Sequence, residues 1–364
     1  MTELNPRPAA LSSLPSPVQM ALERVGLPGT DFVGLTGPLG ASPKDTIYAQ
    51  GTLKLHHFRP QSDQLYRVPV LMVTSLVNQP YILDLVPGQS MVEFLLQQGF
   101  DVYMIEWGRP RKEHRHLTLE DHVLDRLDAC VNQVLAHSGE RELSIIGYCV
   151  GGLLSVLWAA LNADRKDGGH KTALENLVCM ATPVNSDGLE SLKAWMGNDF
   201  DEEALLSQNG NVPAEWVQNT LRALRPLGKV AGAMNLLNQS GNEEVIRSQL
   251  RMGKWESDNI PFPGGVFRQM VKAFLRENRL IHGGWEIGGR IVDLKKIRVP
   301  FLHLLAQDDH ITPYASSRDL VQMVGGKDRQ ELILKGGHVG LVAGRGAQTR
   351  MWPALEAWLA PRSI

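Results

Sequence analysis

Apolar residues along this chain gather in short dense runs, separated by longer stretches with helical periodicity. VPVLMVTSL (Val68 to Leu76), FDVYMIEWG (Phe100 to Gly108), LSIIG (Leu143 to Gly147) and the stretch Leu177 to Ala181 are almost continuously apolar, the pattern of strands covered on both faces. A more polar strand is expected before them at Thr52 to His57. Between them lie helical stretches: Ser90 to Gln98, LTLEDHVLDRLDACVNQVLAHSG, and LLSVLWAAL. The second carries Thr118 and Asp121 as an N-terminal capping pair and Gly139 as its stop. Strand and helix in this alternation predict a mostly parallel, doubly wound sheet.

The rhythm changes after Val184. From about Ser186 to Asp293 the pattern predicts helices (Glu203 to Leu206, Ala214 to Leu224, Asn242 to Leu250, Gly265 to Arg276) and no strong strand. The sheet is expected to resume at Val299 to Ala306 and Gln330 to Leu334, before a closing helix over Gln348 to Leu359. This divides the chain into an N-terminal arm (1–45) with one short helix near Pro17 to Arg24, a core (46–185 and 294–364), and a helical lid inserted at 186–293.

Composition narrows the function. The chain has 364 residues, 43% hydrophobic and 21% charged, with a net charge of −2, which leaves room for a large core and none for a basic nucleic-acid face. Its three cysteines are too few and too scattered for a disulfide framework or a cysteine-rich zinc site, so a cytoplasmic protein with no metal is expected. The N-terminal residues lack the apolar run of a secretory signal, and no run is long enough for a membrane-spanning helix.

The chemistry begins at SIIGYCVGG, where a strand runs through a sharp turn into a helix. This is the G-x-S-x-G layout of a nucleophile elbow, with Cys149 in the place of serine. Gly147 and Gly151 leave the crossing of strand and helix free of side chains, and the N-terminus of the helix favours negative charge on the sulfur. The strand FLHLLAQDDH ends on Asp308 and Asp309, and KGGHVG after the last strand offers His338. Nucleophile, acid and histidine in that order, each at the carboxyl end of a parallel strand, are the arrangement of the α/β-hydrolase fold. Asp309 is preferred to Asp308 because it lies nearer the turn before Thr312-Pro313. The backbone amides of Val150 and of the Leu76 to Asn78 loop, centred on Val77, are the candidate oxyanion hole.

Competing residues receive structural readings. Cys130 and Cys179 are expected to be buried thiols, and His303 a core histidine. His310 is read as a loop residue near the site, and His56, His57, His114 and His116 as surface. Trp216 and Trp255 are read as packing residues. A thioester on Cys149 is nearly isoenergetic with an acyl-coenzyme A donor, so the acyl group stays activated until an alcohol arrives. The triad therefore suits acyl transfer from a thioester to a hydroxyl, with water excluded by the lid.

The chain resembles the polyhydroxyalkanoate synthases in GYCVGG, LVNQPYILDL, DVYMIEWGRP, MATPVN, MGKWESDNIPFPGG, ENRLIHGGWEIGGRIVDLKKIRVP, AQDDHITP and GGHVGLVAGRGA. The short arm is similar to that of the class III catalytic subunits, although Val150 stands where such a box would carry Gln. The resemblance implies that Cys149 carries the growing polyester, with His338 as its general base. Asp309 would help to activate the 3-hydroxyl of an incoming (R)-3-hydroxyacyl-coenzyme A. It also implies no cofactor beyond the coenzyme A thioester substrate, a location at the surface of cytoplasmic polyester granules, a homodimer, and a possible second, non-catalytic synthase subunit.

Overall fold

The computed structural model describes residues 37–164, 173–224 and 242–364. The helix expected over Pro17 to Arg24, and all but the end of the arm, lie outside the described residues. The strands in chain order are β1 (Lys44–Gln50), β2 (Leu53–Phe58), β3 (Val70–Val73), β4 (Val102–Glu106), β5 (Leu143–Tyr148), β6 (Leu174–Met180), β7 (Glu286–Ile287), β8 (Arg290–Ile291), β9 (Phe301–Ala306) and β10 (Arg329–Leu334). Eight of them form one sheet in the order β1-β2-β4-β3-β5-β6-β9-β10, and β7 pairs only with β8. The six strands from β4 to β10 in that order run parallel, and the β1-β2 hairpin joins antiparallel to β4.

Every residue of β3, β5 and β9 is buried, because helices cover both faces of the sheet. Side-chain alternation then divides the apolar residues between two cores. Leu71, Ile145, Leu177 and Phe301 enter one core, whereas Met72, Ile146, Val178 and Leu302 enter the other. The helical pattern that opens at Leu117 is Asp121–Leu127, wound wider than an α-helix, followed by Asp128–Ser138. The Thr118 amide and hydroxyl both donate to Asp121 Oδ2 (2.7 and 2.8 Å), and Gly139 ends the helix at φ 76°.

Three details depart from the sequence reading. First, β1 is a strand where the arm was expected to end. KDTIYAQ buries none of its residues fully, so it carries no apolar alternation to announce it. Second, His56 is buried, not at the surface: β1 lies on one side of β2 and β4 on the other, so an outward histidine is enclosed. It bonds Thr46 Oγ1 (3.1 Å) and Glu106 (2.8 Å), while the half-buried His57 bonds Asp101 (2.7 Å) and stacks on Tyr103. Third, His114 is buried too, its Nδ1 accepting from the Arg111 amide (2.9 Å).

Between β6 and β9 the described residues form helices, among them Glu190–Trp195, Ala214–Ala223, Glu243–Ser257 and Gly264–Gln269, with the β7-β8 hairpin as the only strands. Trp216 packs edge-on against Phe267. Trp255 is buried, and its indole N–H donates to the Gln79 carbonyl (2.8 Å). Among the described residues, no helix is long and apolar enough to cross a membrane.

Candidate active site

Cys149 sits between the end of β5 and the helix Val150–Asn162, at φ 55° and ψ −124°. Such a conformation costs a non-glycine residue roughly 1–3 kcal/mol and persists only where the surroundings enforce it. Here the Cys149 amide donates to the Met180 carbonyl on β6 (2.9 Å), and its carbonyl accepts from Gly152 (3.0 Å) and Leu153 (3.3 Å). The glycines permit the close approach. A Cβ on Gly147 would lie 2.5 Å from the Gly152 Cα, and one on Gly151 would lie 2.2 Å from the Val73 carbonyl oxygen. Gly152 is equally constrained, since its Cβ would fall 1.9 Å from Thr182 Oγ1.

His338 is buried at the start of the short helix His338–Val342, after β10. Its Nδ1 donates to Asp309 Oδ2 at 2.7 Å, and the Cys149 sulfur lies close enough to the same ring to raise its pKa. With Nδ1 taken by the carboxylate, Nε2 is the nitrogen left for the sulfur. Asp309 follows β9 and is held from every side. Oδ1 accepts the amides of Ile311 (2.9 Å) and Thr312 (2.8 Å), and Oδ2 accepts the Thr312 hydroxyl (2.8 Å) beside the His338 bond.

The electrostatics follow from this enclosure. Burial opposes ionisation of Asp309, but the imidazole and the Thr312 donors outweigh it and hold the carboxyl below its ordinary range. Burial likewise works against a charged His338. The Asp309 carboxylate and the Cys149 sulfur overcome it and raise the imidazole pKa. Asp308 is exposed, its amide tied to the Gly336 carbonyl (2.9 Å), and His310 is exposed. His303 is fully buried in β9.

The Val150 amide opens the helix, where no intrahelical acceptor precedes it. Val77 lies in the turn after β3. Its carbonyl accepts the Ile260 amide (3.1 Å) and the Asn259 side chain (3.2 Å), which bind this turn to the segment after helix Glu243–Ser257. Asp258 in that segment also pairs with Arg109 and accepts from the Tyr81 hydroxyl (3.1 Å). Thr312, Tyr148 and Asn259 were not singled out from the sequence. Thr312 had a signal, being a hydroxyl residue three positions after an aspartate in a turn. Tyr148, whose ring lies 5.1 Å from that of His338, and Asn259 had none. Among the described residues, no group of three His, Cys, Asp or Glu side chains could hold a metal ion.

A mostly parallel sheet with an elbow after β5, an acid after β9 and a histidine after β10 defines an α/β-hydrolase fold with cysteine at the elbow. The family described as "alpha/beta hydrolase fold" matches residues 68–344, and "Poly-beta-hydroxybutyrate polymerase (PhaC) N-terminus" matches residues 32–95. Among solved structures, Est1E from Butyrivibrio proteoclasticus superposes with a TM-score of 0.51 at 13% identity, covering 88% of this chain and 99% of that one. The putative non-heme bromoperoxidase BpoC from Mycobacterium tuberculosis H37Rv gives 0.50, also at 13%, covering 87% and 98%. These likenesses are of fold alone.

Relatives of higher identity bear the name poly(3-hydroxyalkanoate) polymerase subunit PhaC. The protein from Allochromatium vinosum is 34% identical over 89% of this chain and 90% of its own length. That from Synechocystis sp. is 32% identical over 89% and 86%. The protein from Haloferax mediterranei is 32% identical over 89% of this chain, which spans 65% of that longer relative. The chain belongs to the poly(3-hydroxyalkanoate) polymerase family.

Proposed function

We propose that the protein is an acyltransferase that polymerises (R)-3-hydroxyacyl-coenzyme A through a thioester on Cys149, releasing coenzyme A. The observation that carries this reading is the buried imidazole bonded to a buried carboxylate, with the elbow sulfur near enough to raise its pKa. With the His338 pKa raised, the proton given up by the thiol is held on the ring. The thiolate attacks the donor carbonyl, and the amides of Val150 and the Val77 turn receive the negative oxygen. Collapse breaks the bond to coenzyme A, whose sulfur takes the proton from His338 Nε2. The 3-hydroxyl of a second hydroxyacyl group then attacks the acyl-Cys149 thioester, passing its proton to Nε2. An ester forms and Cys149 leaves as thiolate.

The role of Asp309 in this scheme is to orient His338 and stabilise its charged form. Its oxygens are already engaged by four donors, which supports that role over direct contact with the 3-hydroxyl. The helices between β6 and β9 act as a lid that keeps water from the thioester. Family membership supports a polyester product and a place at the granule surface. A homodimer and a second synthase subunit are part of the same proposal.

Incubation with 3-hydroxybutyryl-coenzyme A, followed by thiol titration and product analysis, tests the reading. Coenzyme A release with polyester is the expected result, and Cys149→Ala should abolish covalent acyl labelling. Free hydroxyacid without polymer would instead make the protein a cysteine-elbow thioesterase or depolymerase. Granule formation unaffected by Cys149→Ala would make it a non-catalytic granule protein.

A further inference from the structure

The last residue of β5 is Tyr148, the neighbour of Cys149, and it is almost wholly buried. It enters the same core as Ile146 on its own strand and as Val339 and Leu341 from the helix that begins with His338. In the sheet, β6 and β9 stand between β5 and β10. The elbow and the loop carrying His338 therefore leave strands about 14 Å apart, three spacings of the sheet. Tyr148 reaches across that gap. Its hydroxyl donates to the His338 carbonyl (3.3 Å), and its ring centroid lies 5.1 Å from that of the imidazole, the planes inclined at 33°.

The two contacts differ in weight. A hydroxyl bond of 3.3 Å is long beside the usual length of about 2.7–2.8 Å, so it contributes little. The ring contact is closer to stacked than to edge-on, and falls within the distance of about 6 Å at which an aromatic face attracts a cation. His338 is otherwise held at one edge, where Nδ1 meets Asp309 Oδ2 (2.7 Å) and the Thr312 hydroxyl (3.1 Å). A ring bonded at one edge is free to tilt about that edge, and a neighbour on its face limits the tilt. The titratable groups around the imidazole are Asp309, Cys149 and Tyr148. Burial, with the Cys149 sulfur and the Asp309 carboxylate nearby, raises the Tyr148 pKa well above its ordinary value. The phenol therefore stays neutral and takes no part in proton transfer.

We propose that Tyr148 is a positioning residue for His338, its ring face steadying the charged imidazole and fixing its tilt toward Cys149. This role rests on the acyl-transfer reading of the elbow, in which the thiol proton sits on His338 while the thiolate attacks. An aromatic face attracts imidazolium more than neutral imidazole, so it favours that ion pair over the uncharged thiol and base. The nucleophile and the face that steadies its base then sit on consecutive residues of one strand end.

NMR titration of His338, and single-turnover acyl loading from 3-hydroxybutyryl-coenzyme A across pH, test the proposal on the full chain. Tyr148→Leu should lower the His338 pKa by about one unit. It should move the alkaline limb of the loading profile down by the same amount and slow loading about tenfold, with substrate affinity unchanged. Tyr148→Phe keeps the face, so it should titrate as the wild type and load no more than about threefold more slowly. The sign matters. A cavity that merely admitted water would relieve the burial of His338 and move its pKa up. An unchanged or raised His338 pKa in Tyr148→Leu, whatever its melting temperature, would overturn the proposal. So would a shift in Tyr148→Phe as large as that in Tyr148→Leu, which would assign the effect to the hydroxyl. The titration does not depend on the acyl chemistry: a wild type that loads no acyl group, with the lowered pKa still seen in Tyr148→Leu, would keep the contact and remove only the acyl-transfer reading.

Discussion

Asp309 and His338 form the buried pair on which acyl loading of Cys149 depends in the proposed mechanism. Their order and their places at strand ends singled them out, and the preference for Asp309 over Asp308 needed only the position of the turn. Thr312 was harder to find because its contribution is a hydroxyl aimed at Asp309 Oδ2, and direction is not written in residue spacing. Asp309→Asn should leave the protein folded but slow acyl loading of Cys149 by about 10²–10⁴-fold, measured by rapid-quench labelling. His303 makes a different prediction. Neither ring nitrogen has a partner, and burial pushes its pKa down to about 3. Between there and the ordinary value near 6.5, the unfolded chain binds a proton that the folded chain refuses. Stability therefore falls as pH drops through that window, by up to about 1.4 kcal/mol per unit. His303→Leu should flatten the loss of melting temperature between pH 7 and 4.5, with His122, whose pKa burial pushes down to about 4, leaving a residual slope.

At the scale of elements, the strands buried on both faces were legible because nearly all their residues are apolar, with Ser144 in β5 and His303 in β9 as the exceptions. β1 was not, since an edge strand with every side chain at least partly in solvent is fixed by its ladder to β2, a property of the pairing and not of its own composition. Burial of His56 and His114 was hidden for the same reason: what covers them comes from elsewhere in the chain. The elbow is the element with the least freedom. Gly151→Ala would drive a methyl into the backbone of β3, which cannot retreat from its partners on both sides. A loss of roughly 3 kcal/mol or more is expected in urea denaturation. Gly253→Ala, at a helical position with open space around it, serves as the control and should be neutral or slightly stabilising.

Across the whole molecule, the segment 255–260 connects the helical insertion to the turn that carries Val77. The Arg109–Asp258 pair is half in solvent, so Asp258→Asn should shift global stability by no more than about 1 kcal/mol. Asn259 is different, being buried and bonded to the Val77 carbonyl. Asn259→Ala should lower the rate of acyl loading about tenfold while leaving substrate affinity little changed, a split that single-turnover kinetics would resolve. Long-range contacts of this kind were absent from the sequence reading, which saw the insertion and the loop as separate features.

That grip on Val77 bears on how a thioester survives in water. An outward movement of the segment 255–260 would break both bonds to the Val77 carbonyl and so free the turn. On the proposed mechanism, a centre opened in this way would be less able to activate a carbonyl, because the Val77 turn is part of the oxyanion hole. Water entering with the segment displaced would then meet a weakened oxyanion hole, a second protection of the thioester beside the lid.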